Sequence, residues 1–285
     1  MPALEIVSEQ ACYGGVQGFY RHDSRECASR MRFSVYRPPQ AAAGPVPVLY
    51  WLAGLTCTEE TFMVKAGAQR LAARLGLMLV APDTSPREPR FPGDDESWDF
   101  GLGAGFYVDA TEAPWSANYR MYSYVTAELP AVIGEHFAAD TTRQGIFGHS
   151  MGGHGALVCA LREPGRYRSV SAFSPVAAPS QAPWGENAFA RFLGEDPAPW
   201  GAYDATELAR GSSFAGRVLI DQGEADKFLA TQLMPEKFVA ACAGTGIVPR
   251  LRRHPGYDHS YWFVQTFIAD HLRHHAGALS RPGAA

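Results

Sequence analysis

A chain of 285 residues that is 46% apolar and 19% charged has the composition of a folded, core-forming protein, which excludes intrinsic disorder for its bulk. Its formal charge of −4 argues against an electrostatic nucleic-acid or anionic-membrane binder, because such proteins need clustered Lys and Arg. The one basic stretch, residues 250–254, is short and reads as a solvated strand edge.

In chain order, short β-rich apolar runs alternate with longer helical stretches. Strands are predicted over Met31–Tyr36 and Val46–Leu52, then a helix over Glu60–Leu75 closed by Gly76. A strand over Leu77–Ala81 follows, and a helix over Met121–Phe137 that Pro130 should kink or break. Strand Gln144–Phe147, helix Met151–Leu161, strand Ser169–Phe173 and helix Ala188–Leu193 come next. The pattern ends with strand Val218–Asp221, helix Thr231–Ala243 closed by Gly244, strand Val248–Arg252 and helix Tyr261–His275. Continuously apolar middle strands such as Leu77–Ala81 suit parallel strands buried on both faces. The expected fold class is therefore α/β, a mostly parallel sheet covered by helices on both sides, with residues 1–285 forming one domain.

The amino terminus lacks the basic start and apolar run of a secretory signal, and no segment approaches ~18 consecutive apolar residues, so a soluble cytoplasmic protein without membrane contact is expected. Five cysteines, at 12, 27, 57, 159 and 242, are odd in number and widely spaced. They fit neither a disulfide framework nor a metal site, and reduced thiols are expected.

Parallel sheets place ligands beyond the carboxyl ends of their strands, which directs attention to the loops there. The loop from Pro82 to Ala113 is long and aromatic, as loops lining a site often are. Directly after the fourth predicted strand stands Gly148-His149-Ser150-Met151-Gly152, a G-x-S-x-G nucleophile elbow followed by a helix. With 17 serines and 29 glycines, chance supplies about 0.2 such matches, so the strand-to-helix setting carries the argument more than the letters do.

A serine hydroxyl needs a base within hydrogen-bond reach and an acid to orient that base. His154 lies one turn into the elbow helix and cannot swing back, and His271, His274 and His275 lie near the end of the last helix, where a surface role is expected. His254 and His259 remain, and His259, in a turn just before the final helix, is the preferred base. Asp226 is the preferred acid, in a Gly-bearing loop after the sixth strand, with Glu224 as its competitor and Asp221 still on the strand. Met151 N–H is one oxyanion donor by position, and Leu55 N–H is the candidate for the second.

These residues also resemble the S-formylglutathione hydrolase (esterase D) family of the α/β-hydrolase fold. The likeness runs from about Gly14 to His275 and is carried by residues 49–58, 81–86, 103–111, 118–126, 147–155 and 256–260. Residues 87–93 depart from the family's glycine-containing version.

The resemblance implies a cofactor-free thioester hydrolase that converts S-formylglutathione to glutathione and formate, finishing glutathione-dependent formaldehyde detoxification, with short acyl esters as further substrates. It implies Ser150, Asp226 and His259 as the triad and marks Cys57 as an active-site thiol whose modification would block the pocket. A buried structural cysteine is the alternative. Small molecules are the expected partners, and dimers occur in the family, so a homodimer is open. Lys65 and Arg87 are candidates for glutathione's carboxylates, and Trp98, Phe106 and Trp184 for walls of a small acyl pocket. A general short-chain carboxylesterase, an acyltransferase and a non-catalytic binding protein are the competing readings.

Overall fold

The computed structural model describes residues 4–280. Among them, nine strands form one sheet in the order β1-β2-β3-β5-β4-β6-β7-β8-β9. These are β1 (Glu5–Cys12), β2 (Gly15–Ser24), β3 (Ser29–Arg37), β4 (Val46–Leu52), β5 (Met78–Pro82), β6 (Ala139–His149), β7 (Tyr167–Phe173), β8 (Gly216–Gly223) and β9 (Ile247–His254). From β5 to β9 every neighbouring pair is parallel, while β1, β2 and β3 pair antiparallel with one another and β3 pairs antiparallel with β5.

Side-chain alternation sends each buried strand into two cores. In β4, Val48, Tyr50 and Leu52 face one cluster, whereas Leu49 and Trp51 face the other. The second cluster is closed by α1 (Glu59–Lys65), α2 (Gln69–Leu75) and, at the chain's far end, the helix Tyr261–Leu279. Trp51 stacks on Phe62 at 4.2 Å and meets Phe147 edge-on at 4.7 Å. Fully burying each such side chain contributes roughly 1.5–3 kcal/mol. The first cluster takes α3 (Met121–Ser123), α4 (Leu129–His136), α5 (Met151–Arg162), α6 (Pro183–Leu193), α7 (Ala205–Ala209) and α8 (Pro235–Ala241). The helix Tyr261–Leu279 is α9.

Three departures from the sequence pattern have physical causes. The stretch read as one helix over Glu60–Leu75 is two, because Gly67 adopts a left-handed φ of 65° between them. Pro130 does not break its helix. A π-turn over Tyr124–Glu128 widens the backbone just ahead of Pro130, so the missing N–H falls in the first turn of α4. The hairpin of β1 and β2 has no counterpart in the predicted strands. β1 is an edge strand that buries almost nothing and is held by backbone pairing and by Glu5, which pairs with Arg21 and Arg30.

Several histidines are folded into the interior as neutral groups. Burial pushes His154 down to about 4, and His149 and His275 well below their ordinary value. Such a group binds its proton more weakly folded than unfolded, so its contribution to stability is complete above about pH 6.5 and is lost as pH falls toward the folded value. For His154 the loss at pH 5 is about 2 kcal/mol. Denaturant unfolding at pH 7 and pH 5 should therefore show a steep fall for the native chain and a shallower one for His154→Gln, whose amide can still donate to the Phe106 carbonyl. Equal falls in the two proteins would contradict this.

Candidate active site

At Ser150 the backbone takes φ 60° and ψ −122°, a conformation that costs a side-chain-bearing residue ~1–3 kcal/mol. Its surroundings hold it there. Ser150 N–H donates to the Phe173 carbonyl at 3.0 Å, and its own carbonyl accepts from His154 N–H at 3.0 Å and Val176 N–H at 3.3 Å. The flanking glycines are required by close approach. A Cβ on Gly148 would lie 2.2 Å from the Gly152 carbonyl oxygen, and one on Gly152 would lie 1.9 Å from that of Leu52. Both obstacles are backbone, so neither can yield.

Over this elbow passes the turn that leaves β4. Cys57 N–H closes onto the Gly54 carbonyl at 3.2 Å, Thr56 takes a left-handed φ of 66°, and Thr56 N–H is anchored on the Gly103 carbonyl at 2.9 Å. A Cβ on Gly54 would stand 3.1 Å from the Cβ of Ser150, which fixes how near the turn comes to the serine. Among the described residues, the N–H groups of Leu55 and Met151 donate to no protein acceptor. Met151 opens α5, where the first N–H groups have no helical partner.

Two further loops meet beside the serine. Gly223 ends β8 so close to the loop after β9 that a Cβ there would lie 2.3 Å from the Tyr257 carbonyl oxygen. Glu224 and Ala225 N–H then donate to the carbonyls of His254 and Tyr257, at 3.0 and 2.9 Å. This cross-bonding brings His259 Nδ1 to 2.5 Å from Asp226 Oδ2. Asp226, whose side chain is fully buried, also accepts from Phe228 N–H at 2.9 Å and from Gln222 Nε2 at 3.4 Å. A buried carboxylate accepting at Nδ1 places that ring's proton there and leaves Nε2 with a free lone pair. His149, the residue before Ser150, lies against the His259 ring at 4.5 Å, so the elbow and the His259 loop are in contact.

The competing acids and bases have other partners. Asp221 receives Arg252 at 2.6 Å from Nε and 2.5 Å from a terminal nitrogen, and His271 and His254 stand 3.3 and 3.4 Å away. Burial alone would raise its carboxyl; His271 and Arg252 overcome this and hold it far below the carboxylate range. Glu224 is exposed.

His271 and His275 are not surface groups, contrary to their reading from helix-end position. Both are fully buried: His271 Nδ1 lies 2.8 Å from Ser171 Oγ, and His275 bridges Ser169 and Ser171 at 2.7 and 2.8 Å. Because α9 continues to Leu279, these rings face β7 instead of the helix terminus. His274, also assigned to the surface, is half-buried, with Nε2 3.2 Å from the Val170 carbonyl.

Cys57 is partly buried beside Thr61 and Tyr261, and burial raises its thiol despite the opposing pull of those hydroxyls and of Lys65. A raised thiol reacts slowly, since the thiolate is the nucleophile. Arg87 is bound through Nε and a terminal nitrogen to Asp83, at 2.9 and 2.6 Å, and reaches the Cys57 carbonyl at 3.2 Å. The long aromatic loop packs inward, with Tyr107 O–H donating to the Ala53 carbonyl at 2.8 Å. Its Phe106 is fully buried against His154 and Phe189. Trp98 and Trp184 instead continue through Phe228 to His259, with ring separations of 5.3, 4.6 and 5.2 Å. The sequence assigns no role to Phe228 or His149; His149 precedes Ser150 and Phe228 lies two residues after Asp226, which is the signal available there.

A family model described as "Putative esterase" matches residues 24–274. The chain is 56% identical to the S-formylglutathione hydrolase of Mus musculus, with 98% of this chain and 99% of the relative covered. It is 53% identical to that of Paracoccus denitrificans, over 97% of this chain and 99% of the relative. The solved structure of an S-formylglutathione hydrolase from Agrobacterium tumefaciens superposes with a TM-score of 0.95 at 52% identity, covering 97% of this chain and 100% of that one.

The two buried aspartates can be separated by experiment. Asp226→Asn should lower kcat by about 10³ to 10⁴ while the protein stays folded. Asp221→Asn, which leaves Arg252 facing a neutral amide, should cost about 3 kcal/mol of stability and retain most of the turnover. Measured kcat and denaturation midpoints check both, and the reverse pattern would transfer the acid's role to Asp221.

Proposed function

The chain belongs to the S-formylglutathione hydrolase family of esterases, and from that premise we propose that Ser150, Asp226 and His259 carry out its acyl transfer. The enzyme hydrolyses the thioester S-formylglutathione to glutathione and formate, the step that closes glutathione-dependent formaldehyde detoxification, and it also accepts short acyl esters. The observation that carries the residue assignment is the 2.5 Å contact of His259 Nδ1 with a buried carboxylate, one ring away from a serine on a strained strand-to-helix turn.

In this reading Ser150 Oγ attacks the formyl carbonyl while His259 Nε2 takes its proton. Asp226 keeps the imidazole in the tautomer that leaves Nε2 free and steadies the imidazolium that forms. The unused Leu55 and Met151 N–H groups receive the developing oxyanion, each worth about 10² to 10³ in turnover. His259 returns the proton to the departing glutathione sulfur, and water, deprotonated by the same ring, releases formate from Ser150. No cofactor enters any step.

We further propose one catalytic domain working in the cytoplasm. The single sheet that takes in every strand from β1 to β9 supports the first point, and five free cysteines in a glutathione-using enzyme support the second. Among the described residues no helix is long and apolar enough to cross a membrane. Since all five groups of the mechanism come from one chain, a protomer should be active whether or not two associate.

Turnover assays on purified protein test the proposal. The kcat/KM for S-formylglutathione should exceed that for an aryl acetate by orders of magnitude, and Ser150→Ala should lose at least about 10⁴ in kcat on both. Retained hydrolysis in Ser150→Ala would overturn the mechanism, and comparable kcat/KM values would favour a general carboxylesterase.

A further inference from the structure

The sequence contains only three lysines, Lys65, Lys227 and Lys237, in a chain whose net charge is −4. Two of them stand at the active site. Lys65 ends α1, the helix that follows the Leu55 turn, and its Nζ lies over the Tyr261 ring at 5.8 Å. Lys227 follows Asp226, and its Nζ lies over the Phe228 ring at 4.9 Å. Those two rings belong to one continuous line: Tyr261 lies 5.8 Å from His149, His149 lies 4.5 Å from His259, and His259 lies 5.2 Å from Phe228. The line that passes through His259 therefore ends in an ammonium group on each side.

Both lysines are exposed, and among the described residues neither takes part in an ion pair or a side-chain hydrogen bond. The neighbouring arginines are committed elsewhere, Arg87 to Asp83 and Arg191 to the Gly93 carbonyl at 3.1 Å and Glu96 at 3.6 Å. An ammonium resting on an aromatic face is attracted by the ring and restrained by it, which reduces the ordering cost of capturing an anion.

Glutathione has the matching charge pattern. Its thiol sits on the central residue, and each arm ends in a carboxylate, the glycyl one alone and the γ-glutamyl one beside its own α-ammonium. For His259 to protonate the leaving sulfur, the sulfur must lie beside the His259 ring, between the two ammonium groups. One arm then extends from the sulfur toward each end of the ring line.

Resting on the S-formylglutathione reading, we propose that Lys65 and Lys227 each hold one of the two carboxylates, and that this pair selects glutathione thioesters over other formyl thioesters.

Steady-state kinetics of Lys65→Gln, Lys227→Gln and the double variant, at low ionic strength, test this. Two substrates are compared: S-formylglutathione and the S-formyl thioester of an uncharged thiol of similar length. Each single variant should raise KM for S-formylglutathione about fivefold to tenfold, with kcat changing far less, so that the preference for the charged substrate shrinks and the double variant loses most of it. In the native enzyme KM should climb with added salt, and the double variant should flatten that slope. A glutathione thioester with its glycyl carboxylate converted to the amide then assigns the ends, because only the lysine that held the glycyl group becomes indifferent to the change. If the double variant keeps its preference within twofold, or both substrates weaken alike, the assignment is wrong. If the native enzyme shows no preference for S-formylglutathione over an aryl acetate, the functional reading and this proposal fall together.

Discussion

Between β4 and the first turn of α5 there is no room for a single methyl group: a Cβ on Gly152 would stand 1.9 Å from the Leu52 carbonyl oxygen. That contact presses the elbow against the end of the neighbouring strand and forces the chain through Ser150 at a positive φ. The hydroxyl is then presented at the carboxyl edge of the sheet, and the unpaired N–H groups of α5 begin beside it. The same close approach positions the Gly54 turn, whose Leu55 N–H faces no protein acceptor. The positions of the proposed nucleophile and oxyanion donors are thus consequences of one packing contact, and the conformational strain at Ser150 is offset by the three backbone hydrogen bonds around it.

The site's electrostatics depend on which carboxylate keeps a single imidazole. Asp221 and Asp226 are both buried and only five residues apart, yet they differ in what surrounds them. Asp221 is saturated by Arg252 and approached by two histidines, so it ties β8 to β9 and α9 as a fixed structural charge. Among the described residues Asp226 has no arginine or lysine ion pair, and its shortest contact is with His259. The other interior histidines near the site, His149 and His154, are kept neutral by burial, so they add no competing positive charge beside the ring proposed to accept a proton.

Much of this was readable in the residues, and the limits have physical causes. Buried parallel strands declare themselves as unbroken apolar runs, so β4 and β5 stand within one residue of their predicted ends. β1 carries no such signal, because cross-strand charges and backbone pairing hold it instead of an apolar face, and β2 buries Tyr20 and His22 among polar neighbours instead of an apolar run. Gly67 could be seen in the sequence, but its left-handed conformation could not. His271 and His275 read as surface groups because they lie near a helix end, and their four-residue spacing does not enter that reading. The better signal was its match to Ser169 and Ser171, two apart on a strand and therefore on one face. That Ser150, Asp226 and His259 belong to neighbouring loops was readable because motif order and loop position constrain them, whereas the ring line that joins Lys65 to Lys227 exists only once the loops are brought together.

The central claim is that the acyl group passes through Ser150. Rapid-quench mass spectrometry of the enzyme during S-formylglutathione turnover, with peptide mapping, addresses it directly. The account predicts a transient formyl ester on the peptide bearing Ser150, formed and lost at rates compatible with kcat. Formyl found on Cys57 instead, or glutathione released at full rate with no acylated peptide at any time point, would contradict it.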